Sequence, residues 1–242
     1  MTMKNPSKPK MQPNTTDELQ DLIVTEINKH GHKCDLNHID VSLIDDFRSL
    51  FYDSKFNGDI SSWKVSKAIH MAGMFSESEF NGDISKWDVS GVIDMSSMFL
   101  GSKFKGDISK WDVSGVTDMN SMFENSKFNG DISRWDVSSV TDISSMFYNS
   151  QFNSDISKWN ISSVTHMDGM FCSSRFTGDI SRWDVSKVKN MKSMFFGSAV
   201  AKIFETENPS FEQVKSHFLG LKLEAGLKES SSGQGQVFKV RL

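Results

Sequence analysis

Apolar and polar positions along this chain recur with a period of 24 residues. One aspartate marks the period, at Asp35, Asp59, Asp83, Asp107, Asp131, Asp155 and Asp179. With that aspartate numbered as position 0 of each repeat, position 4 holds all six tryptophans, position 6 holds Val or Ile, and position 16 always holds Phe. A period of 20 to 50 residues is typical of proteins built by stacking one small unit many times. The pattern therefore predicts a solenoid of seven repeats over residues 35–200.

Two apolar spacings within each repeat predict two short elements. Ile108, Trp111 and Val113 are spaced like the apolar residues of a solenoid strand, which predicts a short strand around positions 4–6 with Trp and Val pointing inward. Apolar residues at positions 9, 12, 15 and 16, beginning with Val116 and Met119, have a helical spacing and predict a helical turn. The predicted fold class is an α/β solenoid with short parallel strands and helical turns, capped by helices at both ends.

The N-terminal flank predicts a capping helix. Residues 1–14 are polar and rich in Lys and Pro, which predicts disorder. In residues 15–34, Thr15 and Glu18 have the spacing of a capping box and Gly31 provides a stop. Such a helix covers the exposed end of a repeat array. A partner-binding helix is the alternative interpretation.

The C-terminal flank predicts a second cap followed by a tail. Apolar residues that include Phe211 and Val214 form a helical stripe, which predicts a cap over residues 201–223. Residues 224–242 begin with a Ser- and Gly-rich stretch and are predicted to be flexible. The last six residues, VFKVRL, alternate in polarity and predict an added edge strand or a docking peptide.

Composition excludes several classes of protein. The net charge is −4, and residues 35–200 carry 16 Lys and Arg against 22 Asp and Glu, a net charge of −6. This balance argues against duplex nucleic acid as a partner. The absence of an apolar run of 18 residues or of a signal sequence predicts a cytoplasmic protein without a membrane span. The cell surface and delivery into a host cell are the alternative locations.

The repeated aspartates and a His-rich segment are the candidate metal ligands. Aspartates stacked about 4.8 Å apart repel one another, so each needs a compensating interaction. Backbone N–H donors at the corner after Gly are the predicted compensation, because each corner has too few carboxylates for calcium. Four residues near the first repeat have zinc-ligand side chains, but their spacing matches no closed zinc site: His30, His32, Cys34 and His38. No metal or cofactor is predicted.

Enzymatic chemistry is also not predicted. The sequence contains no nucleophile-elbow motif, phosphate-binding loop or dinucleotide-binding motif. A metal-dependent enzyme using the His30–His38 segment remains the weaker alternative. Cys34 and Cys172 lie more than five repeats apart, about 25 Å in a stacked array, which predicts reduced thiols.

Exposed repeat positions provide the candidate partner surface. Positions 3 and 5 flank the inward Trp and carry rows of opposite charge, at Lys86, Asp88, Lys110, Asp112, Arg134, Asp136, Lys158, Arg182 and Asp184. Solenoids commonly bind through the exposed strand face. Alternatively, adjacent rows of opposite charge neutralise each other and protect the array from association. Position 17 varies most in residue type among the repeats. Its residues Tyr148, Cys172 and Phe196 are predicted to be neighbours in a second, apolar strip that could contact a partner.

The repeat unit FNGDISKWDVSxVTDMSxMF resembles the BspA-like bacterial leucine-rich repeat. The resemblance covers about Asp35 to Val200. It implies a right-handed leucine-rich-repeat solenoid that binds macromolecules, and an association with adhesion for members at the cell surface. The predicted function is a non-enzymatic interaction scaffold for a protein partner, one version being a bacterial or phage effector or inhibitor. A surface adhesin for host proteins is the alternative.

Overall fold

The computed structural model describes residues 11–232, with side chains described as far as residue 225. It contains three helices, α1 (Thr16–His30), α2 (Ala199–Ile203) and α3 (Phe211–Ser232). The repeats lie between α1 and α2 and consist of turns joined by isolated parallel bridges. None of the described helices combines the length and apolar character needed to cross a lipid bilayer.

Neighbouring repeats lie side by side in register. Parallel bridges join position 11 of one repeat to position 11 of the next, from Asp46 to Asn190. At every junction the N–H groups at positions 12, 14, 16 and 18 donate to the carbonyl oxygens at positions 11, 13, 15 and 17 of the next repeat. At a central junction these bonds are Met95 to Asp118 (3.0 Å), Ser97 to Asn120 (2.7 Å), Phe99 to Met122 (2.9 Å) and Gly101 to Glu124 (2.8 Å). We call this pattern the backbone ladder.

The backbone ladder occupies the segment that the sequence predicted as a helical turn. The predicted strand around positions 4–6 is wrong, because those residues form turns, as in the bond from the Trp111 N–H to the Ile108 carbonyl (3.2 Å). The predicted helical turn at positions 9–16 is also wrong. Positions 14 and 18 adopt left-handed backbone conformations, for example Ser121 (φ 54°) and Asn125 (φ 55°). A left-handed residue interrupts an α-helix, so the apolar spacing there comes from successive tight turns.

Aromatic columns run through the core of the stack. The position-16 phenylalanines stack on their neighbours with ring centroids 5.6–5.9 Å apart. Trp111 and Val113 are buried, which confirms the inward direction predicted for positions 4 and 6. The Trp111 Nε1–H donates to the carbonyl of Ile84 in the preceding repeat at 3.1 Å. The same bond recurs for every tryptophan, so each indole is satisfied by the stacking itself.

Helix α1 covers the N-terminal end of the stack. The Thr15 hydroxyl accepts a hydrogen bond from the Glu18 N–H, as the capping-box spacing predicted. Leu19 and Ile23 are buried against the first repeat. The disorder predicted for residues 1–14 is wrong for residues 11–14, because Met11 pairs in parallel with Ile39. Residues 1–10 lie outside the described part.

Helix α3 covers part of the C-terminal end. Phe211 and Val214 are buried against the last repeat, and the Lys222 ammonium lies 2.7 Å from an Asp179 carboxylate oxygen. The flexibility predicted from residue 224 onward is wrong for residues 224–232, which continue α3. The predicted terminal strand at residues 237–242 lies outside the described residues. The handedness of the winding stays a prediction.

Candidate interaction surface

Charged side chains project from the turn that carries each tryptophan. Because positions 4 and 6 are buried, positions 3 and 5 on either side face solvent, as Lys110 and Asp112 do around Trp111. The predicted partner-binding residues at these positions are all exposed: Lys86, Asp88, Lys110, Asp112, Arg134, Asp136, Lys158, Arg182 and Asp184. We call this set the charged row. It lies on turns, not on the strand face that the sequence predicted.

The position-5 aspartates of the charged row are fixed by local hydrogen bonds. Asp112 Oδ1 accepts from the Ser114 N–H at 3.1 Å and from its hydroxyl at 2.6 Å. Asp88 accepts the same pair of bonds from Ser90. Hydrogen bonding by Ser114 lowers the pKa of Asp112, and hydrogen bonding by Ser138 lowers the pKa of Asp136. These bonds restrict the orientation of the carboxylates, and the lowered pKa keeps Asp112 and Asp136 ionised at neutral pH.

The cations of the charged row lie closer to the position-0 aspartates than to those at position 5. Hydrogen bonds from Ser109 are the main cause of the lowered pKa of Asp107, and the charge of Lys110 lowers it further. By contrast, the hydrogen bonds from Ser138 lower the pKa of Asp136, and the negative charge of Asp112 opposes this by raising it. In the described residues no ion pair of 4.0 Å or less joins positions 3 and 5. The two rows are therefore not joined by direct ion pairs in this part of the chain, and their mutual neutralisation stays a prediction.

The position-0 aspartates accept backbone hydrogen bonds, as predicted. Asp107 Oδ1 accepts from the Ser109 N–H, and Asp131 Oδ1 accepts from the Ser133 N–H, both at 2.9 Å. The same bond forms in all seven repeats. Each carboxylate thus caps its own turn, which offsets the repulsion along the column.

The His-rich segment lies where α1 meets the first repeat. His38 Nε2 lies 3.2 Å from Glu26 Oε2, and His30 Nε2 lies 3.8 Å from the same atom. Over residues 11–225, His, Cys, Asp and Glu side chains form no group of three or more that could hold a metal ion. Cys34 and Cys172 are both reduced thiols, as the sequence predicted, and both are buried.

The apolar strip predicted at position 17 is not continuous. Cys172 is buried and Tyr148 is half-buried. Phe196 is 45% exposed, and Tyr52 at the same position of the first repeat is 60% exposed. Because the burial of position 17 changes along the stack, this position does not form one contact patch.

A second, largely half-buried row of side chains was not identified from the sequence. Position 11, where the backbone ladder begins, carries acidic and histidine side chains at His70, Asp94, Asp118, Asp142 and His166. Burial raises the pKa of Asp118, and the negative charges of Asp142 and Asp94 raise it further. The hydrogen bond from the Asn120 N–H lowers this pKa but does not cancel the rise. The recurrence of acids at one register was visible in the sequence. Position 11 was passed over because it lay within a segment interpreted as helical.

A known family matches most of the chain. A family model described as "Mycoplasma protein of unknown function, DUF285" matches residues 23–127 and again residues 101–211. Comparisons with the curated proteins and with the solved structures find no match. The two matched segments overlap and together span the repeats, which fits a model that recognises a tandem unit.

Proposed function

This chain belongs to the family described as Mycoplasma protein of unknown function, DUF285, and we propose that it is a non-enzymatic scaffold that binds a protein partner through the charged row. The row stands on a stack in which the same four backbone hydrogen bonds recur at every junction. Because such a surface is ordered before binding, a partner loses little free energy to ordering it.

The observation that carries this proposal is the column of fixed carboxylates at position 5, which form no ion pair of 4.0 Å or less in the described residues. Asp88, Asp112 and Asp136 are exposed and are each held by the Ser two residues on. They lie at one position of successive repeats, so their charges add over a short distance. A protein with a basic surface or segment is the complementary partner.

The repeats themselves are proposed to be of the BspA-like leucine-rich type, wound as a right-handed solenoid. The 24-residue period and the parallel pairing between successive repeats support this assignment. The pairing lies at positions 11–18 and leaves the Trp-containing turn free for binding.

The experiment is a comparison of two matched double variants in a search for cross-linked partners. Asp112→Asn with Asp136→Asn removes two charges from position 5, and the Asn oxygen still accepts the Ser N–H bond. Asp107→Asn with Asp131→Asn removes two charges from position 0 in the same repeats. Tagged protein is cross-linked in extracts of the producing cell and its host, and partners are quantified by mass spectrometry.

We expect a stoichiometric partner that is lost from the position-5 variant and kept by the position-0 variant. A partner that both variants retain, or that both lose equally, would contradict binding through the charged row. A partner recovered only from the surface of intact cells would instead favour the adhesin alternative.

A further inference from the structure

The last repeat leaves its side of the backbone ladder open. In each of the six preceding repeats, four N–H groups donate to carbonyls of the following repeat. In the last repeat the corresponding groups belong to Met191, Ser193, Phe195 and Gly197. The Gly197 N–H donates to the Glu207 carbonyl at 2.8 Å, so one of the four sites is occupied by the chain itself.

The other three donors have no protein acceptor within the described chain. No hydrogen bond joins the N–H of Met191, Ser193 or Phe195 to any residue of the described part. A cleft of about 250 Å³ lies beside them, between residues 191–195 and 208–211. Alternate N–H groups along a sheet-like edge are a template for an added extended chain.

Lysines surround this open edge. Positions 8, 10 and 13 of the last repeat are Lys187, Lys189 and Lys192, while each of the other six repeats has at most one Lys or Arg at these three positions. Lys187 lies near Asp184, whose pKa is lowered by hydrogen bonds from Ser186 and further by that lysine. Within residues 11–225, Lys189 and Lys192 form no ion pair of 4.0 Å or less.

Of the three donors, Met191 and Ser193 are accessible, whereas Phe195 is fully buried. We propose that the open edge at Met191–Phe195 binds an extended acidic segment of a partner protein, whose carbonyl oxygens accept the N–H groups of Met191 and Ser193 as an eighth rung. Acidic side chains of the segment pair with Lys189 and Lys192. The chain's own ends have the wrong charge for this role. Residues 1–10 carry three lysines, residues 233–242 carry Lys239 and Arg241, and neither segment has an Asp or Glu.

A peptide copied from the stack provides the probe. Residues 118–124, DMNSMFE, occupy the equivalent site on an inner repeat, where their carbonyls accept from Met95, Ser97 and Phe99. The peptide carries two acidic side chains, and a control peptide KMNSMFK replaces both with Lys. Binding of each fluorescently labelled peptide to the full chain is measured by anisotropy at low and moderate salt.

Two matched variants locate the site. Lys189→Glu with Lys192→Glu reverses the charge at the open edge, and Lys103→Glu with Lys127→Glu makes the same charge change at exposed lysines of inner repeats that lie outside the charged row. We expect the acidic peptide to bind at least about tenfold more weakly to the first variant and unchanged to the second. The Lys peptide should bind at least tenfold more weakly than the acidic one. Hydrogen exchange should slow at the amides of Met191 and Ser193 when the acidic peptide binds.

Several outcomes would overturn the inference. These are no binding of the acidic peptide, equal binding of the two peptides, or equal loss in the two Lys variants. Concentration-dependent self-association of the full chain that is abolished by Lys189→Glu with Lys192→Glu would assign the edge to a second copy instead. Asp112→Asn with Asp136→Asn leaves the open edge intact, so peptide binding by that variant tests this site independently of the charged row.

Discussion

Three aspartates of a central repeat make the same local bond in different surroundings. Asp107, Asp112 and Asp118 each accept a hydrogen bond from the N–H two residues on, at 2.9, 3.1 and 2.8 Å. The bond lowers the pKa of the first two, which are exposed. Burial and two like charges outweigh it at Asp118. The surroundings therefore decide whether a repeated carboxylate stabilises the stack at neutral pH.

Asp118→Asn tests that difference. A carboxyl whose pKa is raised on folding stabilises the fold below the unfolded pKa and loses that contribution as the pH rises through the folded pKa. Removing the charge should therefore increase the free energy of unfolding at pH 7, by up to ~1 kcal/mol for a partly screened charge. The gain should shrink below about pH 4, where the wild-type carboxyl is protonated. Denaturant unfolding at several pH values measures both effects.

Asp112→Asn is the matched control for the sign. The pKa of Asp112 is lowered on folding, so its ionised form stabilises the fold above the unfolded pKa, and this contribution is lost as the pH falls through the folded pKa. The substitution should reduce stability slightly at pH 7 and have less effect in acid. The same pH dependence in both variants would contradict the opposite pKa directions.

Trp111→Ala tests the inner side of the same turn. Trp111 is buried, contacts Phe99 with ring centroids 6.2 Å apart, and donates its Nε1–H to Ile84. Removing the indole leaves a cavity and should reduce the free energy of unfolding by about 3–5 kcal/mol. Lys110→Ala, one residue away and exposed, should change it by less than about 0.5 kcal/mol. A loss below 1 kcal/mol for Trp111→Ala would contradict its role in the core.

At the residue scale, the sequence predicted side-chain environments correctly where the same residue type recurs at one position of the repeats. The burial of Trp111 and Val113 followed from their apolar character, and the bonds to the position-0 aspartates followed from the need to offset repulsion. The burial of Cys172 could not be predicted, because it depends on the packing of neighbouring repeats. The exposed cations at position 3 were identified, but their proximity to position 0 depends on how the turn folds.

The elements of this protein are turns whose apolar spacing resembles that of a helix. Positions 12, 15 and 16 are buried, as they would be on one face of a helix, yet the carbonyls at positions 13 and 15 accept hydrogen bonds from the preceding repeat. Positions 14 and 18 distinguish a series of turns from a helix, because the backbone is left-handed at both positions. Position 14 is Gly or Ser in every repeat, including Gly73 and Gly169. Small residues at a fixed register could have indicated turns.

Gly73→Ala tests the left-handed turn. Gly73 has φ +63°, and a Cβ there would lie 3.3 Å from the Ser49 hydroxyl. The substitution should reduce the free energy of unfolding by about 1–2 kcal/mol, the usual cost of a left-handed non-glycine residue. Folding should be retained, because Ser occupies the same position at φ 54° in other repeats. Thermal and denaturant unfolding measure the loss.

Gly220→Ala is the control for Gly73→Ala, because Gly220 lies in a helix and not in a left-handed turn. Gly220 lies inside α3, and a Cβ there would meet nothing within 4 Å. Alanine in a helix interior is favoured over glycine by roughly 0.5–1 kcal/mol, so this variant should unfold no more easily than the wild type. Equal destabilisation by the two substitutions would contradict a turn-specific effect at Gly73.

At the scale of the whole molecule, each repeat pairs with its neighbours through the backbone ladder, and the two ends of the array are covered differently. Helix α1 buries Leu19 and Ile23 against the first repeat, whereas α3 leaves three ladder donors of the last repeat open. The 24-residue period was enough to predict that repeats stack, and helices were predicted at both flanks. The extent of α3 was not predicted, because its second half is rich in Ser and Gly and its contact with Asp179 links residues far apart in sequence.

Weakening α3 tests how stability is distributed along this stack. Phe211 and Val214 are buried against the last repeat, so replacing both with Ala removes apolar contact there while leaving the inner junctions unchanged. Since stability in a repeat array is close to a sum over neighbouring interfaces, amides of the last repeat should exchange hydrogen faster. Amides of the central ladder, such as those of Phe99 and Phe123, should keep their protection. Leu223→Ala, at a side chain that is 71% exposed, is the control and should change neither region. Uniform loss of protection across all seven repeats would show instead that the stack opens as a single unit.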